Sequence, residues 1–169
     1  KLDNPTVNQT NNSVKQMGVG QDVAFRFGKN QLEFKSLIFA SDRGIAPTMG
    51  FTSNAKQEDV SKKFMLGFNR VHDRSTHTLK VGYIDEEMLY VNPDWLYESK
   101  YKTESISAIY NGVFYLTDDV TLKTFLLNQS DRVVSDAFLE EKRRNKSAAY
   151  IMAEHQITDK LIYHVSIRQ

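Results

Sequence analysis

No cysteine occurs in this chain, which removes thiol nucleophiles, disulfide staples and thiolate metal sites together. A eukaryotic secreted domain often carries disulfides, so the absence leans toward a bacterial protein. Proline is scarce at 3 residues and glycine numbers 8, which excludes collagen-like and low-complexity classes. Neither sign of charge is in excess: 22 Lys and Arg stand against 21 Asp and Glu. That balance gives no global electrostatic reason to expect nucleic acid as a partner. No apolar run approaches the ~20 residues that a membrane-crossing helix requires. A phosphate-cradling glycine loop and a Gly-x-Ser-x-Gly elbow are also missing. Gly18-Val19-Gly20 lacks a third glycine and opens a strand pattern. No catalytic residue, metal or cofactor is expected.

What is present is a polar leader and then alternation. Residues 1–16 hold Asn4, Asn8, Asn11 and Asn12 with Thr6, Thr10 and Ser13, and little that is apolar. Such a stretch cannot offset the entropy of ordering it. Past Gly18 and Gly20, Val23, Phe25 and Phe27 share one face of a period-two pattern. The expectation is a flexible tether over 1–20 and a single globular β-rich domain over 21–169. A first residue of Lys1 rather than Met suggests a processed product, with a membrane anchor or lipoprotein signal upstream.

Along the body, 22–39 reads as a hairpin turning at Gly28-Lys29-Asn30, and 41–57 as a long loop. Phe64 to Phe68 and Leu79 to Tyr83 alternate, joined by 69–77. Asn92-Pro93-Asp94 starts a turn or a short helix. Asn111-Gly112 suits a type I′ hairpin turn between Ile106–Tyr110 and Val113–Thr117. Asp118 or Asp119 is placed to cap a helix carrying Leu122, Phe125 and Leu126. Asp131 is placed to cap a second, with Val133, Val134, Ala137 and Phe138 on one face. A last hairpin turns at Thr158-Asp159. The expected class is α+β: antiparallel β-rich, sandwich-like or a curved sheet, with a helical pair inserted before the C-terminal hairpin.

Candidate sites compete with plainer roles. His72 and His77 lie in one connection, but their spacing is not a ligand signature. If residue 155 pairs with 162, His155 and His164 share a sheet face and form a pH-sensitive pair. Asp85-Glu86-Glu87 and Asp118-Asp119 are carboxylate clusters that also read as a turn and a cap. Lys142-Arg143-Arg144-Asn145-Lys146 suits an anionic membrane surface or phosphates, or else a solvated helix end balanced by Glu140 and Glu141. Trp95, the only tryptophan, sits with Tyr97 and Tyr101 where aromatic rings anchor a partner; alternatively Trp95 and Leu96 plug the core.

The leading reading is a non-catalytic extracytoplasmic binding or assembly domain of a bacterial envelope-associated or secreted protein. Its expected partner is a protein of the envelope, held by Trp95, Tyr97 and Tyr101 together with the 41–57 loop. Two other readings stand beside it: an envelope-polymer hydrolase using Asp85, Glu86 or Glu87, and a virion or phage structural protein.

Overall fold

The computed structural model describes residues 11–47, 53–138 and 140–169. Eight strands follow one another: β1 (Val14–Phe27), β2 (Asn30–Gly44), β3 (Lys56–His72), β4 (Ser75–Asn92), β5 (Tyr97–Tyr115), β6 (Val120–Ser135), β7 (Lys142–Thr158) and β8 (Leu161–Arg168). They form one antiparallel sheet in sequence order, each strand paired with the next. Strands β1 to β7 run 14 to 19 residues, about three times the usual length of ~5–6.

Turn chemistry sets the two ends of the sheet apart. At one end the links are tight: Gly28-Lys29, Asp73-Arg74, 116–119 and Asp159-Lys160. Gly28 adopts φ 57°, which a glycine supplies without steric cost at the first position of a two-residue hairpin. The other end carries the connections 45–55, 93–96 and 136–141. Residues Pro93–Trp95 form a 3₁₀ turn, with Asn92 as its cap.

No second layer covers the sheet among the described residues. Among the described residues, the only buried hydrophobic side chain is Ala55, at 2% exposure.

The expected helical pair does not exist. Leu122, Phe125 and Leu126 lie in β6, as do Val133 and Val134, while Ala137 and Phe138 follow it in a turn. In β6 both faces bear some apolar residues, and their sum mimics helical spacing. The sandwich alternative has no second sheet to form it. Asn111-Gly112 is no turn either; it lies inside β5, opposite Thr78 and His77. A Cβ on Gly112 would come within 2.7–2.8 Å of Thr124, Phe114 and Tyr110 side chains, so crowding explains this glycine. Asp85-Glu86-Glu87 sits inside β4. Of the 41–57 stretch, Ser41 to Gly44 belong to β2 and Lys56 and Gln57 to β3, while 48–52 lie outside the described residues. Of the stretch read as leader, 1–10 lie outside the described residues, and Val14 to Gly20 pair with Leu37 to Arg43.

Candidate functional site

Residues directly opposite across a ladder share a face, and alternate residues along a strand do too. Following the register from Phe25 gives Leu32, Phe68, Leu79, Tyr110, Leu126 and Ala149 in one transverse row. The next row toward the loops reads Val23, Phe34, Leu66, Val81 and Ala108. This face is apolar over all eight strands, ending with Tyr163, Val165 and Ile167 on β8. Its side chains are open to the surroundings, from Phe25 and Leu66 to Ile106 and Ile151. The opposite face carries Gln31, Glu33, Lys35, Ser61, Lys63, Thr78, Lys80, Ser105, Gln129 and Asp131, with scattered apolar residues among them.

The apolar stripe does not run parallel to the hydrogen-bond rows. On β1 it extends up to Met17 and Val19. From β6 onward it has moved toward the tight turns, as Val120, Leu122, Ala153 and Val165 show. The drift is roughly one residue per strand. With ~3.3 Å per residue and ~4.8 Å between strands, strands cross a level stripe at a tilt of roughly 35–40°. That is the tilt of strands in membrane barrels, ~35–45°. On β5 the stripe spans Ile106 to Phe114, roughly 20–25 Å along the normal at that tilt, against ~25 Å for a barrel's lipid-facing band.

A charged belt borders the stripe on its loop side. One row passes from Val19 and Ile38 into Lys62, Asp85, Glu104, Arg132 and Arg143. Lys62 lies 3.6 Å from Asp85; Lys102 lies 3.1 Å from Glu87 and 3.3 Å from Glu104. Arg132 joins Glu104 at 3.1 Å and Glu141 at 2.6 Å, and Arg143 pairs with Glu141. Those partners hold the loop carboxylate of Glu141 below the usual range, through the Arg143 hydrogen bond first and Arg132 second.

At the loop end the structure brings two connections together. The Asn54 backbone N–H donates to Asp94 Oδ2 and its side-chain amide to Asp94 Oδ1, both at 2.8 Å. These donors depress the Asp94 carboxyl, the side-chain bond more than the backbone one. The turn so pinned presents Trp95 at 81% exposure and Leu96 at 97%. The core-plug alternative for Trp95 and Leu96 is thereby corrected: both project into the surroundings. Tyr97 packs tilted on Tyr90 at 6.1 Å. Tyr101 lies further down β5 and lines a recess of about 660 Å³ with Phe39, Arg43, Asp59, Lys63 and Glu86. The three aromatic residues therefore follow one another along a tip and a strand end.

The histidine pair is not assembled. His155 pairs with Tyr163 and His164 with Glu154, so the two imidazoles stand on opposite faces. One residue of register separates this from the expected pairing, enough to flip a side chain across the sheet. His77 instead shares a hydrogen bond of 2.8 Å with Tyr110 Oη. No cluster of three potential metal ligands occurs among the described residues. Glu86 lies on the polar face, bonded to Ser61, while Asp85 and Glu87 lie on the opposite face. The basic run 142–146 is split likewise, with Arg144 on the buried carboxylate Asp131 and Arg143 in the belt. The continuous apolar face escaped the sequence reading; period-two alternation through Leu79, Val81 and Tyr83 was the visible signal.

No protein-family model and no curated protein sequence matches the chain. Among solved structures, it is similar to the ferric yersiniabactin uptake receptor FyuA from Yersinia pestis, with TM-score 0.62 and 12% identity. The match covers 94% of this chain and 28% of the receptor, so the chain spans just over a quarter of that protein's length. At this identity the likeness shows the fold: an antiparallel meander of long strands.

Proposed function

We propose that these eight strands form part of the wall of an outer-membrane β-barrel, in a non-catalytic receptor of the bacterial envelope. The carrying observation is the open apolar stripe, tilted across eight consecutive strands with almost nothing buried. In water such a surface would drive aggregation, since soluble monomers rarely expose patches beyond a few hundred Å². In a bilayer it is the lipid-facing side, and the polar face lines the interior. The tight turns then face the periplasm and the longer connections face outward, the usual asymmetry of such barrels. The likeness to an uptake receptor supports the same reading. The outward connections offer Trp95, Tyr97 and Tyr101 as the contact for a partner, with the Asn54–Asp94 bridge fixing the tip.

Cysteine scanning tests this directly, because this chain has none of its own. Single substitutions at Thr78, Leu79, Lys80 and Val81 on β4 are labelled in native membranes. Positions 78 and 80 are expected to react with a water-soluble maleimide. Positions 79 and 81 are expected to resist it, and a fluorophore there is quenched by lipid-tail spin labels. Shielding of 79 and 81 from both probes would mean that protein, not lipid, covers the stripe. For the tip, Trp95→Ala is expected to weaken partner binding by roughly 30-fold, as loss of an aromatic anchor does, with the β4 labelling pattern unchanged.

A further inference from the structure

On the tight-turn side of the stripe, its face carries no strand carboxylate among the described residues; Asp73, Asp118, Asp119 and Asp159 lie in the turns. An arginine does stand there. Arg70 follows Phe68 on this face of β3 and is exposed, with Asn30 directly opposite on one side and His77 on the other. Its guanidinium makes no ion pair and no hydrogen bond among the described residues. The loop-side belt is the reverse case: Lys62, Lys102, Arg132 and Arg143 all pair with carboxylates. His72 comes next on the same face, also exposed and without a bond of its own among the described residues. Its ring stands edge-on to His77 at 6.2 Å. His77 is held through both ring nitrogens, by Tyr110 Oη at 2.8 Å and Ser75 Oγ at 3.0 Å, and forms a fixed floor beside the two free groups. The acid next to His72 in the chain, Asp73, is taken by Lys29.

Depth decides what these free groups meet. Arg70 shares its ladder row with His77 and Gly112. A level line drops about one residue per strand toward the tight turns, so Arg70 on β3 is level with Phe114 on β5, where the stripe ends. The backbone of Arg70 therefore stands at the hydrocarbon edge, and its long stem lets the guanidinium snorkel outward. His72 is roughly 6–7 Å further along the strand, or roughly 5 Å along the normal. A headgroup layer is ~5–7 Å deep on each side, so both groups fall within it. We propose that Arg70 and His72 form a binding site for the phosphate of an anionic phospholipid in the leaflet on the tight-turn side. Arg70 supplies the planar fork that takes two phosphate oxygens. The His72 imidazole N–H donates to a third. Phe68, the next residue inward on this face, meets the first carbons of the acyl chain. The inference rests on the membrane reading above.

The test uses the full-length protein, extracted in detergent and passed through mixed micelles holding equal phosphatidylglycerol and phosphatidylcholine. Retained lipid is then counted by native mass spectrometry. The wild type is expected to keep phosphatidylglycerol in preference. Arg70→Gln is expected to lower that preference roughly fivefold, as removal of one headgroup-level cation predicts. Adding His72→Phe, which keeps a ring and removes the donor, lowers it further. Arg26→Gln leaves it unchanged, since Arg26 stands at the same end of the sheet on the opposite face, bonded to Gln31. Equal retention of the two lipids by wild type overturns the proposal, as does full preference in the Arg70→Gln, His72→Phe double variant. Displacement of the lipid by equimolar inorganic phosphate would show a site for the free ion and overturns it too. Spin-label quenching at Val81→Cys, measured on the same preparations, separates the two failures: quenching without lipid preference removes the site alone, and no quenching removes the membrane reading itself.

Discussion

Leu96 holds a left-handed backbone at φ 49°, a conformation that costs a bulky residue roughly 1–2 kcal/mol. Strain of this kind persists where surrounding structure over-determines it, and it concentrates at contact sites. Here the 3₁₀ turn, with the Leu96 N–H on the Pro93 carbonyl, provides that determination. Leu96→Gly is expected to stabilise the tip by about 1 kcal/mol, read as slower amide exchange at residue 96, while partner binding weakens. Gly28 is the converse case, since its φ of 57° suits the residue it is. Gly28→Ala is expected to destabilise the β1–β2 hairpin by about 1 kcal/mol, measured as a lower midpoint of urea unfolding in lipid vesicles. Gly112 is constrained by space rather than by backbone angle. Gly112→Val is expected to displace Tyr110 and break its bond with His77, visible as a changed His77 imidazole shift in NMR.

The hairpin is the repeating element, joined to the next by the strand ladders, and at the loop end a side-chain bridge links two of the connections. Asp94 joins the β4–β5 connection to Asn54 next to β3 through two hydrogen bonds. Its folded carboxyl titrates below the ordinary aspartate range. A depressed carboxylate contributes stability above its unfolded pKa and loses it as pH falls through the folded value. The bridge is thus expected to be intact from neutral pH down through the usual aspartate range, and to open only in stronger acid. Amide exchange at Asn54, followed as a function of pH, checks this; opening near pH 6 would contradict it. The β1–β2 hairpin and the Asn92-Pro93-Asp94 turn were readable because each depends on three or four adjacent residues. Strand β6 was not. In a single sheet with one apolar face, the other face tolerates either kind of residue. Phe125 on that other side filled in the helical spacing with Leu122 and Leu126.

At the scale of the molecule, strands in the barrel wall proposed above outrun the bilayer. A barrel strand crosses with ~9–11 residues, whereas β5 has 19. The surplus lies beyond the stripe on the loop side, carrying the charged belt and then the aromatic tip. A charge placed inside the stripe is expected to do more damage than one in the belt. Leu79→Arg should cost about 2–4 kcal/mol near mid-membrane, while Val134→Arg should cost about 1 kcal/mol or less. Refolding titrations into lipid vesicles measure both.

By itself the sequence determined the absence of thiol chemistry, the lack of a membrane-crossing helix, the first hairpin and the turn starting at Asn92-Pro93-Asp94. These follow from composition or from a few neighbouring residues. Only the tertiary structure decided which apolar residues share a surface. Leu32, Phe68, Leu79, Tyr110 and Leu126 are far apart along the chain and meet in one row through four cross-strand registers. Each register is a single integer, and a change of one moves every side chain of a strand to the other side. Whether such a row ends buried under a second layer or open to lipid is likewise a property of the whole sheet, set by what packs on it.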